Sequence, residues 1–358
     1  MSRSPDEFAY HMERRMKNRN KQHIDKWWFI PLFCVMAAVI MTAVMPSVTI
    51  WAEEETAEKM ETVVAEDAEN AIKAEIDEEP LAFTKSVKKL TAGKNYQFSV
   101  NRAESVTWSV GNEKIASVSK TGKVKAKRYG KTHIYAVCGE QKISVLLQVK
   151  GKKIVGIDPG HQQRGDSSTE PNGPGSTTCK AKVAGGTCGV ATGKPEYQLT
   201  LEVAKKLKTE LWNRGYQVIM TRTKNDINIS NKERALLINE SGADICVRIH
   251  ADGATSSARG ATVLCPSASN RYISKLHSKS KKLSEALIRA YCSKTGLRNR
   301  GISYRDDLTG TNWSTIPTTL IELGFMTNAT EDRFMASASG QKKMVTGMAD
   351  GIDAYFGY

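Results

Sequence analysis

The sequence lacks a compact metal-binding signature. It contains only six histidines among its 358 residues. None of them belongs to an HExxH motif, in which two histidines and a glutamate share one helix face. This excludes the zinc peptidases that use that motif. A metal site in this chain therefore has to be assembled from residues that lie far apart in sequence.

Formal charge is absent from one long stretch near the amino terminus. Residues 27–52 contain no Asp, Glu, Lys or Arg, and about 20 apolar residues suffice to span a bilayer. Residues 1–26 are basic and are predicted to stay in the cytoplasm, which places everything after residue 52 outside it. Ile50-Trp51-Ala52 is a poor cleavage site, so a retained membrane anchor and a cleaved signal peptide both remain open.

Aromatic residues are absent from the segment that follows. Residues 53–81 contain twelve acidic residues and two lysines, so they can bury little apolar area and are predicted to form an acidic linker. Because the whole chain has a net charge of +14, the remainder is strongly basic. Nucleic acid, anionic lipid and anionic wall polymers all fit such a charge, and so does a merely solvated basic surface.

Residues 82–150 show short alternating runs separated by glycines. The runs include Val106-Thr107-Trp108-Ser109-Val110 and Ile143-Ser144-Val145-Leu146-Leu147. This spacing predicts a small β-sandwich. Together with Leu90-Thr91-Ala92-Gly93 and Ile115-Ala116-Ser117-Val118, the pattern resembles the bacterial immunoglobulin-like group-2 domain. In that family such domains are extracellular spacers or adhesive modules.

Residues 151–358 alternate predicted strands and helices, which indicates an α/β domain with a twisted, mostly parallel sheet flanked by helices. The first predicted strand, 154–157, ends in Asp158-Pro159-Gly160-His161. A long loop then leads to Pro195-Glu196, where a helix begins. A later strand ends at His250, and the apolar strand 318–323 carries a single charge, Glu322.

Ligands of open α/β sheets bind at the carboxyl ends of the strands. His161 and His250 both follow strands, and Glu196 stands in the first turn of its helix. Two imidazoles and one carboxylate leave one tetrahedral position open, as in a catalytic zinc site. Glu322 is then a candidate general base, with Asp158 as a hydrogen-bond partner for a ligand histidine. From spacing alone, His161 and His250 could equally be ordinary polar loop residues.

Residues 153–357 resemble the zinc-dependent N-acetylmuramoyl-L-alanine amidases of the type-3 amidase family. The pieces that carry the resemblance are Ile154-Val155-Gly156-Ile157-Asp158-Pro159-Gly160-His161, Glu196, Val218-Ile219-Met220-Thr221-Arg222, Glu233-Arg234-Ala235, Arg248-Ile249-His250-Ala251-Asp252, Arg300-Gly301 and Ile316-Pro317-Thr318-Thr319-Leu320-Ile321-Glu322-Leu323-Gly324-Phe325-Met326-Thr327-Asn328. The resemblance implies that His161, Glu196 and His250 bind Zn²⁺ and that Glu322 is the catalytic carboxylate. It also implies a peptidoglycan substrate, cut between N-acetylmuramic acid and L-alanine, and no role for nucleic acid.

The sequence departs from the family pattern in three places. His161 and Glu196 are unusually far apart, and Arg248 and Asp252 stand where Ser and Asn are more common. Arg222, Arg248 and Asp252 are expected to support the ligands or to contact substrate. Cys179 and Cys188 lie in the long loop and could form a disulfide in an oxidising compartment.

Two other functions fit the same chain. It could be a non-catalytic wall-binding or adhesion protein with an amidase-like fold, or a zinc hydrolase that acts on a different wall amide. All three functions place the protein outside the cytoplasm, in the cell wall. It would be anchored there by residues 27–52 or secreted after cleavage near Ala52.

Overall fold

A computed structural model describes residues 79–102 and 106–358. The expected membrane segment, 27–52, and nearly all of the acidic linker, 53–81, lie outside the described residues. Within the described ranges, no helix combines the length and the apolar character that a membrane crossing requires. Residues Leu81–Tyr358 form one compact unit, which contains a β-sandwich and an α/β domain.

The first part of this unit is the expected all-β module. A four-stranded sheet, in the order β2-β9-β8-β5, faces a three-stranded sheet, β3-β7-β6, and β1 pairs with β4. The two sheets enclose a core that includes Phe98, Ile134 and Leu147, all fully buried. The strands are β1 Phe83–Lys85, β2 Lys89–Thr91, β3 Asn95–Gln97, β4 Ser99–Val100, β5 Thr107–Val110, β6 Ala116–Val118, β7 Lys123–Ala126, β8 Gly130–Cys138 and β9 Gln141–Lys150.

The second part is built on a six-stranded sheet in the order β13-β10-β14-β17-β15-β16. Every neighbouring pair is parallel except β15 with β17, so the predicted mostly parallel sheet is confirmed. Its elements, with the β11–β12 hairpin, are β10 Ile154–Pro159, β11 Asp166–Pro171, β12 Cys179–Val183, α1 Glu196–Asn213, β13 Gln217–Met220, α2 Asn231–Glu240, β14 Ile245–Asp252, β15 Ala261–Cys265, α3 His277–Thr295, β16 Asn299–Tyr304, α4 Thr309–Asn312, β17 Thr318–Phe325, α5 Ala329–Ala336 and α6 Ala338–Phe356.

Alternation along the central strands divides their side chains between the two faces of the sheet. Val155 and Ile157 of β10 join the large core beneath α1, α3 and α6. Gly156, between them, faces α2, where an added Cβ would come within 2.8 Å of Ile238. Asp158 continues this second face. The sheet therefore buries apolar side chains on one side and directs a small number of polar ones toward α2 and the strand ends.

The segment between His161 and Glu196 is not the plain loop that its composition predicts. It contains the antiparallel hairpin β11–β12, and the segment after it is fixed by Asp332 of α5. The Asp332 carboxylate accepts hydrogen bonds from the backbone N–H groups of Ala191 and Thr192, both at 2.8 Å. The end of this long connection is therefore held against α5.

Candidate metal centre

Three side chains converge at the carboxyl ends of β10 and β14. His161 Nε2, Glu196 Oε1 and His250 Nδ1 lie at the corners of a triangle whose three sides are each 3.1 Å. His161 follows β10, His250 lies in β14, and Glu196 is the first residue of α1. The structure thus brings together the three residues that the sequence proposes as ligands, although they are separated by 35 and 54 positions.

His161 owes its orientation to an unusual backbone conformation and to the segment after β12. It has φ 57° and is the one non-glycine residue with positive φ in the described part of the chain. Its Nδ1 lies 2.8 Å from the carbonyl oxygen of Ala184. A carbonyl can only accept, so Nδ1 carries the proton and Nε2 keeps its lone pair for a metal ion.

Both oxygens of Glu196 are oriented by backbone N–H groups. Thr187 donates to Oε2 at 3.0 Å, and Ala251 donates to Oε1 at 3.1 Å. Burial by itself would raise the pKa of Glu196, but the adjacent His161 and His250 side chains outweigh it and hold that pKa well below its usual range. The carboxylate is therefore ionised at neutral pH.

His250 is held against the backbone of the His161 loop. Burial lowers the pKa of His250 to about 4, although the hydrogen bond to Glu196 acts in the opposite direction. The imidazole is therefore neutral at pH 7, as a metal ligand must be. Gly160 packs directly on this ring, and a Cβ there would collide with it.

The three groups fit a tetrahedral zinc ion. Ligand atoms about 2.0 Å from such an ion lie about 3.3 Å from one another, close to the 3.1 Å sides of the triangle. The donor set is two neutral imidazoles and one carboxylate. It leaves a fourth position for water or substrate, the composition of a catalytic rather than a structural zinc site. The metal-binding role of these residues stays a prediction that their geometry supports.

Glu322 lies beside this triangle. In the register of the sheet it is opposite His250 on β14 and opposite Thr262 on β15. Its Oε2 is buried and has no hydrogen-bond partner among the described residues. Burial, together with the charges of Glu196 and Asp252, raises the pKa of Glu322 well above its usual range. An acid of this kind, next to an open metal position, is suited to proton transfer.

Asp158 does not contact either histidine, so its predicted role as their hydrogen-bond partner is wrong. Its carboxylate accepts hydrogen bonds from Arg234 at 3.0 Å and from Arg248 at 2.8 Å, and Thr221 is a third donor. Burial would raise the pKa of Asp158, but these partners hold it well below its usual range. The aspartate is buried on the α2 face, below the strand ends, and the histidines lie beyond them.

The arginines of this cluster hold the backbone that leads to His161. Arg222 donates to the carbonyl oxygens of Pro159, at 3.0 Å, and Gly160, at 2.9 Å. Arg234 donates to that of His161 at 2.9 Å. Each carbonyl of residues 159–161 is thus fixed by a guanidinium, which keeps His161 in its left-handed conformation.

Of the candidate supporting residues, Arg222 and Arg248 are 2% and 4% exposed, so neither can contact a substrate directly. Asp252 instead lines an open cleft together with Glu322.

Sequence reasoning missed the carbonyl of Ala184 and the N–H of Thr187 because backbone groups leave no signal in residue identity. Arg234, which follows the capping-box residue Glu233, had a sequence signal, since it belongs to a family motif.

The expected disulfide is not formed. Cys179 and Cys188 are both free and exposed. Cys179 is the first residue of β12 and lies opposite Pro171 across the hairpin. Cys188 lies beyond the hairpin, where its backbone forms an isolated β-bridge with Pro195. Because β12 carries the chain away from Cys179, strand geometry separates two cysteines that sequence spacing had suggested could meet.

Comparison with known proteins agrees with this geometry. Residues 155–354 match the family described as N-acetylmuramoyl-L-alanine amidase, and residues 79–149 match the bacterial Ig-like domain (group 2). An N-acetylmuramoyl-L-alanine amidase of Mycobacterium tuberculosis is 29% identical over 212 residues, which cover 56% of this chain and 86% of the relative. The amidase AmiA of Escherichia coli is 26% identical over 243 residues, covering 58% and 77%.

A solved structure has the same fold. The crystal structure of an N-acetylmuramyl-L-alanine amidase from Mycobacterium smegmatis aligns with a TM-score of 0.53 and 27% identity, covering 58% of this chain and 98% of the other. The family match spans more than half of the chain and includes every residue of the triangle together with Glu322. The chain therefore belongs to the N-acetylmuramoyl-L-alanine amidase family, with a bacterial Ig-like domain in front of its catalytic domain.

Proposed function

We propose that this peptidoglycan amidase cuts the amide between the lactyl group of N-acetylmuramic acid and L-alanine of the stem peptide, and that it requires zinc. The observation that carries the proposal is the 3.1 Å triangle of His161, Glu196 and His250. Beside it lies Glu322 Oε2, for which the described part of the chain offers no hydrogen-bond partner. His161, Glu196 and His250 would hold the ion. Glu322 would move the proton.

The ion, when bound, supplies Lewis-acid polarisation of the scissile carbonyl. Glu322 accepts a proton from the attacking water and delivers it to the leaving amine nitrogen of alanine. The position of Glu322 opposite His250 in the sheet supports both steps, because one carboxyl group beside the proposed metal position can serve first as base and then as acid. Backbone donors from Thr187 and Ala251 keep Glu196 from competing for that role.

The test is digestion of purified walls by the full chain, with and without a chelator. The expected products are new amino-terminal alanines, and the chelator should abolish them. New reducing sugar ends would contradict the proposal, and a different new amino group would indicate another wall amide. Binding without cleavage by metal-replete protein would instead support a non-catalytic wall-binding role.

We also propose that the protein acts outside the cytoplasm, held at the membrane by residues 27–52 or released after cleavage near Ala52. The uncharged run behind a basic segment supports this location. The amino-terminal sequence of the mature protein distinguishes the two forms. A protein that stays in the cytosolic fraction with its full length would overturn the proposal.

A further proposed partner is an anionic wall polymer, bound by the Ig-like module. Residues 82–150 contain fourteen Lys and Arg but only three acidic residues. Lys89 of β2 and Lys131 of β8 both lie opposite Gln148 of β9, so the two lysines share the outer face of the four-stranded sheet. Such a surface attracts a polyanion over distances near the Debye length.

A further inference from the structure

The chain has an arginine-rich cleft directly beside Glu322. The cleft has a volume of about 460 Å³, and it is lined by Asp252, Thr262, Leu264, Arg298, Arg300, Ser303, Arg305 and Glu322. Its floor is the exposed face of β17, β15 and β16, and the arginines rise from β16 and its flanks. The cleft therefore begins at the proton-transfer residue and extends away from the metal ligands.

The register of the sheet determines which residues lie side by side along the cleft. His250, Glu322 and Thr262 lie side by side on β14, β17 and β15. The Thr262 hydroxyl donates to the carbonyl of Gly301 on β16 at 3.0 Å. Neighbouring strands lie about 4.8 Å apart, so β15 and β16 lie about 5 and 10 Å from β17. The arginines belong to β16 and its flanks, so their backbones lie about two strands from Glu322, and their side chains line the same cleft as its carboxyl group.

A bulge in β16 positions Arg300. The pairing of β15 with β16 shifts register between Ala261 and Val263, and Gly301 has φ +77°. Bulges of this kind re-aim side chains beside active sites. The Arg300 guanidinium lies over the ring of Phe325, 5.1 Å from its centroid, which stabilises its position without neutralising its charge.

Two of the three arginines remain available for an anion. Arg305 is already held by Asp307 through hydrogen bonds of 2.8 and 2.9 Å. Within the part of the chain that the structure describes, neither Arg298 nor Arg300 pairs with a carboxylate. Two exposed guanidinium groups that face one cleft and have no carboxylate partner among the described residues are suited to bind a carboxylate.

We propose that this cleft holds the peptide side of the substrate and that Arg298 and Arg300 bind the α-carboxylate of the second stem residue, a γ-linked D-glutamate. This inference rests on the proposed function. The sugars carry no charge once the lactyl group is part of the amide, so the glycan offers no anionic group to these arginines. The scissile nitrogen and the α-carboxylate are about two residues apart, at most about 7 Å, so both can lie in one cleft that Glu322 and the long arginine side chains line together.

The proposal predicts specificity for the unamidated stem. In the isosteric amide, D-isoglutamine, the carboxylate becomes an uncharged carboxamide. The full-length enzyme should therefore cleave N-acetylmuramoyl-L-alanyl-γ-D-glutamyl-L-lysine with a kcat/KM about 10- to 100-fold higher than its D-isoglutamine counterpart, in which only the α-carboxylate is amidated. The difference should lie mainly in KM, since the carboxylate contacts the enzyme in the ground state and the transition state alike.

Substitutions in the cleft test the assignment. In Arg298→Gln and Arg300→Gln, kcat/KM for the acid should fall toward that for the amide, whose own value should change little. Arg289→Gln, on the exposed face of α3, is the matched control and should retain the full preference. Calorimetric binding of the product L-alanyl-γ-D-glutamyl-L-lysine should weaken in both cleft variants, and this readout does not depend on turnover.

The outcomes separate the two proposals. Equal cleavage of acid and amide by the wild type, or an equal loss on both substrates in the cleft variants, would overturn the carboxylate site while leaving the amidase activity intact. Cleavage of neither compound, together with activity on another wall bond, would overturn the proposed function. Product binding that is unchanged in both variants would overturn the assignment of Arg298 and Arg300 whatever the activity.

Discussion

Glu322 is a carboxylate on a strand whose other described side chains are largely buried and uncharged. Glu322→Gln keeps the shape of the side chain but removes its ability to accept a proton. We expect hydrolysis of walls to fall about 100- to 10,000-fold while zinc content, measured by elemental analysis, stays at the wild-type level. Glu285→Gln, on the exposed surface of α3, is the control. Full activity of Glu322→Gln would remove this residue from the proton-transfer role.

His250 contributes a ring nitrogen to the triangle and packs on Gly160. His250→Ala leaves two ligands, too few for a tight catalytic zinc site. We expect the purified variant to contain little zinc and to show no chelator-sensitive hydrolysis. His277→Ala, in which the removed imidazole lies 2.9 Å from the Pro266 carbonyl and far from the triangle in sequence, serves as the comparison. Equal zinc in both variants would exclude His250 as a ligand.

Asp158 is 2% exposed and balances the buried charges of Arg234 and Arg248. Asp158→Asn leaves these guanidinium groups uncompensated, and we expect a loss of about 3–5 kcal/mol in the free energy of unfolding at neutral pH. Urea denaturation measures this loss, with exposed Asp226→Asn as the control. A change below about 1 kcal/mol would show that the arginines do not depend on this carboxylate.

Asp158 also makes the free energy of unfolding depend on pH. Because the folded pKa of Asp158 lies below its unfolded value of about 4, its contribution is fully present above about pH 4 and is lost as pH falls through the folded pKa. The gap between wild type and Asp158→Asn should therefore narrow as denaturation is repeated below pH 4. A gap that widens there would mean that the sign of the shift is wrong.

At the scale of elements, the segment that follows β12 supports two of the proposed metal ligands. Ala184 accepts from His161, and Thr187 donates to Glu196. Between them, Gly186 has φ +81°, and a Cβ there would lie 3.0 Å from Glu196 Oε2 and from the His161 ring. The hairpin therefore lengthens the connection between His161 and Glu196, and the residues directly after it orient both side chains.

Neighbouring glycines in this segment provide a matched test. Gly186→Ala should weaken zinc binding about 10- to 100-fold, as the loss of other outer supports does, because the methyl group presses on both ligands and the backbone is strained. Gly185→Ala meets open space and should behave as wild type. Zinc competition with a chromophoric chelator measures both. Equal affinities would show that the segment does not position the ligands.

The elements that sequence patterns predicted well are those with local signals. The capping box of Ser230 and Glu233 is present at the start of α2, and α1 begins at Glu196 directly after a proline. The hairpin β11–β12 was missed because β11 is composed almost wholly of polar residues and the apolar alternation of β12 spans only five residues. It is stabilised by contacts that sequence does not reveal, such as Lys180 with Asp307 at 2.9 Å.

At the scale of the whole molecule, the Ig-like module joins the catalytic domain through side chains at the base of α1. Arg128 lies 4.6 Å from the centroid of the Trp212 ring and donates to Asn213 at 2.8 Å. Trp212 Nε1 donates to the carbonyl of Tyr129 at 2.7 Å. The Ig-like module therefore contacts the catalytic domain through side chains and is not joined to it by the backbone alone.

The basic face of the module should govern retention on walls but not chemistry. A variant with Lys89, Lys131 and Lys142 changed to glutamine should bind intact walls more weakly and lose part of the salt dependence of binding. Its kcat/KM on a soluble muropeptide should stay unchanged. Replacement of Lys205, Lys342 and Lys343, exposed on α1 and α6, is the control. Equal retention of both variants, measured by cosedimentation, would contradict a polymer-binding role for the module.

The sequence alone was sufficient to predict the order of the domains, the type of most long elements and the four residues that are proposed to carry the chemistry. Those predictions depend on periodicity, caps and motifs, which are local properties of the sequence. Only the tertiary structure decided that His161 adopts a left-handed conformation, that Asp158 serves two arginines instead of a histidine, and that Cys179 stays unpaired. These outcomes depend on backbone carbonyls and strand register, which bring together groups that are remote in sequence and have no residue-level signature.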